Sequence, residues 1–154
     1  MKIHQTKLTE AHWKWMATDR IRWPGGWAPQ LPSTVQIRAA ERRLGCMFDP
    51  VYVRFLQEFG AAMIGADPMY GIGSVMDCEA DVVAETLSFR SDKGLGVDDW
   101  YVVSNDGRGG PIGIAPDGKV WLSDHGEIVP IAKSFPAYLA QRIYQSDENR
   151  RGQR

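Results

Sequence analysis

An α+β fold with a largely antiparallel sheet is predicted for this 154-residue chain by three observations. Helical apolar stripes occupy 34–44 and 50–59, three short apolar runs at 100–104, 111–115 and 119–123 follow with turn residues between them, and an amphipathic segment at 135–144 closes the order. Helices, then strands, then a closing helix is a grouping that suggests α+β.

The elements follow in order. Thr9 can cap a first helix running to Arg22, with Trp13, Met16 and Ala17 at helical spacing. Trp23-Pro24-Gly25-Gly26-Trp27-Ala28-Pro29 breaks that period and reads as a loop or linker. Ser33 and Gln36 form a capping-box pattern, Ile37, Ala40 and Leu44 make one stripe, and Gly45 is placed to end the helix. Asp49-Pro50 opens the next helix, because proline at the first helical position gives up an N–H that has no partner there. Tyr52, Phe55, Leu56 and Phe59 line one side of it, and Gly60 closes it.

A short strand is expected at 69–75 and a helix at 79–87. Then comes the meander, whose last two strands are joined by the tight turn Pro116-Asp117-Gly118. A further strand at 128–131 precedes a helix that starts at Ser134 and returns Phe135, Leu139 and Ile143 to the core. Three regions are expected: a Trp-rich helical extension over 1–32, the main domain over 33–146 and a frayed polar tail over 147–154.

A mass of 17.3 kDa suits one domain with a single core. No signal-peptide pattern and no membrane-length apolar run is present, so a cytoplasmic protein without membrane contact is expected. Cys46 and Cys78 lack Cys-x-x-Cys spacing and read as free thiols. The net charge of −1 conceals an uneven distribution: 8 Lys/Arg face 3 Asp/Glu in 1–46, 5 face 14 in 47–132, and 5 face 2 in 133–154. An acidic centre repels nucleic acid and favours a basic partner.

The chemistry-bearing residues make no catalytic set. Ser123-Asp124-His125 holds the residue types of a hydrolase triad, yet three contiguous residues at a strand end do not converge on one substrate atom. Asn105-Asp106-Gly107-Arg108-Gly109-Gly110 lacks the Lys-Ser/Thr and the helix of a phosphate loop and reads as a hairpin loop. Gly71-x-Gly73 lacks the third glycine of a dinucleotide site. His4, His12 and His125 are scattered, so no metal and no cofactor is expected. Trp13, Trp15, Trp23 and Trp27, with Arg20 and Arg22, could anchor a partner or stack on bases; folding back over the core is the preferred reading.

Ser33 through Gly60, with Ile37, Ala40-Glu41, Leu44-Gly45, Asp49-Pro50, Tyr52, Phe55-Leu56 and Phe59-Gly60, resembles the opening signature of the SUKH superfamily, the Smi/Knr-like immunity proteins. Ser104-Asn105-Asp106-Gly107-x-Gly109, Gly118-x-Val120, Asp124-His125 and Ser134-Phe135 with Tyr138-Leu139 are similar to its second half, in the same order, so the resemblance spans about 33–143. It implies a mixed sheet flanked by helices and a bacterial, non-enzymatic toxin inhibitor of the polymorphic toxin kind, which binds the effector domain of a cognate toxin. Two departures stand out: Gly110-Pro111 where the family often carries an acidic residue after Gly-x-Gly, and Asp49 where an apolar residue usually precedes the helix-opening proline.

The expected partner is therefore a basic toxin domain such as a nuclease, met by a monomer or weak homodimer. The expected partner surface is the acidic centre: Glu79, Asp81 and Glu85 on one helix, and Asp98, Asp99, Asp124 and Glu127 on loops at the sheet edge, with Trp100 as a packed aromatic anchor. The alternatives are a regulatory or scaffold module binding a host protein and, more remotely, a small hydrolase using Asp124-His125.

Overall fold

The computed structural model describes residues 3–20, 30–73, 81–92 and 99–152. Among them lie α1 (Glu10–Trp15), α2 (Thr34–Leu44), α3 (Pro50–Glu58), β1 (Ala62–Ile64), β2 (Asp67–Met69), α4 (Val82–Ser91), β3 (Tyr101–Asn105), β4 (Pro111–Ile114), β5 (Val120–Asp124), β6 (Glu127–Ala132) and α5 (Phe135–Gly152). The fold is α+β, with a two-stranded antiparallel hairpin β1-β2 and an antiparallel meander ordered β3-β4-β5-β6.

Local chemistry accounts for the helix boundaries. Ser33 Oγ accepts from Gln36 N–H at 3.1 Å while Gln36 Oε1 accepts from Ser33 N–H at 2.8 Å, and Gly45 ends α2 in the left-handed region at φ 71°. Asp49 caps α3 by accepting from Val51 N–H at 2.8 Å, and its own N–H donates to the Tyr101 hydroxyl at 2.7 Å. The polar residue before Pro50 thus has two duties that an apolar one could not perform together. Ser134 Oγ accepts from Ala137 N–H at the start of α5.

The core is an aromatic cluster between α3, α5 and the sheet. Tyr52, Phe55, Leu56, Phe135 and Leu139 are fully buried, and the Tyr52 ring meets Phe135 edge-on at 5.5 Å and Tyr101 at 6.0 Å. The N-terminal segment folds back onto it. Trp13 stacks parallel to Phe59 at 6.2 Å, and the Arg54 guanidinium lies 4.0 Å from the Trp13 ring centre while pairing with Glu10 and Glu58. Trp13 and Trp15 therefore cover the core; Trp23 and Trp27 lie outside the described residues.

His12 stands where a capping box usually holds Glu or Gln. Its Nδ1 accepts from Thr9 N–H at 3.0 Å, so its Nε2 must be the protonated nitrogen, donating to the His4 carbonyl at 2.8 Å. This fully buried ring is a satisfied core histidine rather than a ligand.

Several expectations are corrected. The first helix is α-helical only to Trp15 and continues as a π-helical turn over Met16–Arg20. The strand expected at 69–75 is instead β2, which ends at Met69 and pairs with the unforeseen β1 across a turn where Gly65 has φ 64°. Gly71 then makes a single bridge to Asp81, with its Cα against the Gly60 carbonyl, so Gly71-x-Gly73 serves close packing. The helix expected at 79–87 is α4, three residues later, because Asp81 caps it by accepting from Val83 and Ala84 N–H.

The polar tail is not a frayed end. α5 continues to Gly152, and Asp147, 5% exposed, accepts from Trp15 Nε1–H at 3.1 Å and pairs with Arg151. A charged residue in a polar run became a core residue because its acceptor meets the indole of a segment 132 positions earlier.

Both edges of the meander are blunted. On β3, Val102 N–H donates to Thr86 Oγ1 of α4 at 2.8 Å and the Val103 carbonyl accepts from Tyr70 N–H at 2.9 Å. On β6, Pro130 removes one donor.

Asp147→Ala is expected to cost about 1–3 kcal/mol, since it leaves the buried Trp15 indole N–H without that acceptor. Arg151→Ala removes a guanidinium that is itself exposed and leaves the Trp15–Asp147 bond in place, so it should stay within about 1 kcal/mol of wild type. Urea midpoints for the two variants check this, and equal midpoints would mean that Asp147 has no structural role.

Candidate partner-binding clefts

The meander sets where the loops lie. Antiparallel order puts the β3–β4 loop and the β5–β6 turn at one end of the sheet, and the start of β3 with the β4–β5 turn at the other. The acidic residues expected to form one surface are therefore divided. Asp124 and Glu127, paired in register across the β5–β6 turn, occupy the first end. Asp99, exposed, occupies the second. Glu79 and Asp98 lie outside the described residues.

Two of the expected contact residues have structural work instead. The Asp81 carboxylate accepts from Val83, Ala84 and Gly73 N–H groups at 2.7, 3.2 and 3.1 Å, so it holds α4 to the preceding segment. Trp100 is only 6% exposed. Its ring covers Gly113 of β4 and stacks between Phe89 and Trp121 at 6.2 and 6.1 Å, because a strand glycine leaves a gap that an aromatic from the neighbouring strand fills. Trp100 therefore presents little surface of its own.

A cleft of about 380 Å³ opens between α4 and the β3–β4 loop, lined by Glu85, Ser88, Phe89 and Asp92 on one side and by Tyr70, Asn105, Gly107, Gly109 and Pro111 on the other. The α4 residues recur at i, i+3, i+4 and i+7, one face of a helix. Asp92 escaped the sequence reading because the helix was expected to end at Leu87; the signal that would have found it is its heptad spacing from Glu85.

The opposite wall is fixed by its own side chains. Asn105 Oδ1 accepts from Gly107 N–H and Asp106 Oδ1 from Arg108 and Gly110 N–H, all at 2.8 Å, while Asn105 Nδ2 donates to the Tyr70 hydroxyl. These N–H groups are consumed internally and do not cradle a phosphate. Partial burial raises the Asp106 pKa, but the N–H donors of Arg108 and Gly110 outweigh it and hold the carboxyl below its ordinary value. Gly110 has little room for a side chain: a Cβ there would lie 2.7 Å from Asp106 Oδ2 and 2.9 Å from the Ser123 carbonyl.

A second cleft, about 560 Å³, lies at the other end, between the α2–α3 turn and the β4–β5 turn, and includes Cys46, Met47, Arg90, Asp99 and Pro116. Arg90 is engaged there, donating to the Leu44 and Trp100 carbonyls at 2.8 and 2.9 Å. Burial pushes the Cys46 thiol up, so it is held as the thiol rather than the reactive thiolate. Met47 projects from the rim at 85% exposure.

Asp124 Oδ1 and His125 Nδ1 are 2.7 Å apart on an exposed turn, where His125 takes φ 46°. Among the described residues no hydroxyl or thiol is hydrogen-bonded to the other ring nitrogen, and no group of three or more His, Cys, Asp or Glu is placed to hold a metal ion. No helix among them is long and apolar enough to cross a membrane.

Residues 16–145 match the family model SUKH_5, described as SMI1-KNR4 cell-wall. The chain belongs to this family, within the SUKH superfamily. The fold is similar to that of a protein from Pseudomonas syringae pv. tomato solved by crystallography, with a TM-score of 0.62 and 17% identity over 84% of this chain and 92% of that one. No curated protein sequence matches it.

Gly110→Ala is expected to cost about 1–3 kcal/mol, because the neighbouring Ser123 backbone cannot retreat without disturbing β5. Asp106→Ala should remove a stabilisation that is complete above the ordinary carboxyl value of 3.8 and lost as pH falls through the lower folded value. The stability gap between wild type and Asp106→Ala must therefore narrow as pH falls from the ordinary carboxyl value through the lower folded one; chemical denaturation from pH 7 to about 2 checks it.

Proposed function

We propose that this chain is an immunity protein that binds the effector domain of a cognate bacterial toxin stoichiometrically and so neutralises it. Membership of the SUKH superfamily carries the reading, because the superfamily's resemblance to immunity proteins supplies a mode of action that needs no catalytic centre. The clefts and charges are compatible with it: carboxylates Glu85, Asp92, Asp124 and Glu127 stand on or near one end of the sheet, where they favour a basic partner such as a nuclease domain. Asp99 at the far end is a separate, weaker contributor to that field. The proposed site of action is the cytoplasm.

The direct test asks whether a gene ending in a toxin domain lies beside this one and co-expresses the two. Restored growth and a 1:1 complex are expected; a toxin that remains lethal and unbound would defeat the reading in favour of a scaffold or regulatory module for a host protein. Reversing the exposed Asp92 and Glu127 to lysine should slow association and flatten its dependence on ionic strength, because each exposed carboxylate contributes only about 0.2–1 kcal/mol and the pair acts through its summed field. Stopped-flow rates against salt check this, and unchanged rates and slopes would place the partner elsewhere. His125→Ala should leave protection intact; protection abolished with fold and binding preserved would return the hydrolase reading.

A further inference from the structure

The meander has a second face, turned away from the core. The register pairs Trp121 with Pro130 and Ser123 with Ile128 on that face, while Val120 and Leu122, one position along, pack into the main core. Phe89, Trp100 and Trp121 stack in a row there and form an apolar cluster of their own. The row ends at Trp121, which is half-buried; next to it Pro130 is exposed and Ile128 is 38% exposed. A contiguous apolar strip of this kind gains free energy when another surface covers it.

Charge is ordered along the same strip. β6 begins at the exposed Glu127 and is followed by the exposed Lys133, six residues on and about 20 Å away at the rise of a strand. Neither side chain has an ion-pair or hydrogen-bond partner among the described residues. Asp124 and Lys119 repeat the order on β5, each with an exposed neighbour: His125 at 2.7 Å and Asp117 at 4.0 Å. The hairpin is therefore negative at its turn, apolar in its middle and positive at its open end.

That pattern is complementary to itself when reversed. A twofold axis lying between two such faces and crossing the strands at Pro130, the midpoint of 127 and 133, sets Glu127 of each copy against Lys133 of the other and the apolar strips against one another. Joining two β6 edges into one larger sheet is the competing arrangement. Pro130, which has no N–H to give, and the register shift opposite Val120 and Trp121 oppose it.

We propose that the outer face of the β5–β6 hairpin is a homodimer interface, at which two copies of this chain pack face to face about a twofold axis that crosses the strands. Glu127 also belongs to the field proposed to meet a basic partner, so a partner that takes it displaces the second copy.

Sedimentation equilibrium of the full chain from about 1 µM to about 1 mM reads the association directly. A monomer–dimer equilibrium that stops at the dimer is expected, and it should weaken between about 50 and about 500 mM salt because both ionic contacts lie at the rim. Ile128→Asp should weaken the dimer more than about tenfold by putting two carboxylates into the apolar strip, with circular dichroism confirming that the fold is kept. Lys133→Glu or Glu127→Lys alone should weaken it about tenfold, since each change sets like charges together at two places, and the double variant should return to the wild-type strength.

A chain that stays monomeric throughout, one that assembles beyond the dimer, or a double variant no stronger than the single ones overturns the proposal. A dimer that Ile128→Asp leaves unchanged overturns it as well, because the copies then meet through another face. These measurements use the chain alone, so their failure leaves the immunity reading standing, and a toxin that does not bind leaves the dimer standing.

Discussion

Burial of Tyr52 is the constraint on which the other elements depend. Its ring, with no exposed surface, is ringed by Phe48, Phe55, Tyr101 and Phe135, and its hydroxyl donates to the Tyr70 carbonyl at 2.6 Å. The same residue's N–H donates to Val103 of β3, so one phenol ties α3 to the segment that seals the sheet edge. Removing the oxygen would leave a buried carbonyl without that partner, and removing the ring would open a cavity shared by three elements. Burial pushes the Tyr52 hydroxyl far above its ordinary range, so it serves as a neutral donor and has no acid–base role.

From this centre the position of the candidate cleft follows by geometry. α4 runs beside β3 because Thr86 and Arg90 bond to backbone groups around it, and that placement fixes which face of α4 looks across to the Asn105–Gly110 loop. The loop in turn is held by its own carboxamide and carboxylate. Both walls of the smaller cleft are thus set by interactions within the chain itself.

Much of the fold was legible in the sequence where local chemistry decides it. Ser33-x-x-Gln36, Asp49-Pro50, Gly45 and Pro116-Asp117-Gly118 act within a few residues, and the elements they delimit stand where the spacing put them. The hairpin β1-β2 was not legible, since three-residue strands have no measurable period and Pro68 argues against a strand. Asp147 and Trp100 were misread for a shared reason: each is polar or amphipathic in its local context and buried only through a distant partner, Trp15 in one case and Gly113 in the other. The site was the least legible part. Charge counting found an acidic centre, but only the antiparallel order of the strands shows that its carboxylates are split between two ends of the sheet.

The blunted sheet edges bear on how much of this protein a cell can carry. Crowded copies of a β-protein are in danger of zipping their open strands together into aggregates. Here α4 and Tyr70 occupy the hydrogen-bonding groups of β3, and Pro130 interrupts those of β6. The contacts that set α4 beside β3 thus also cover part of an edge on which a second copy could pair.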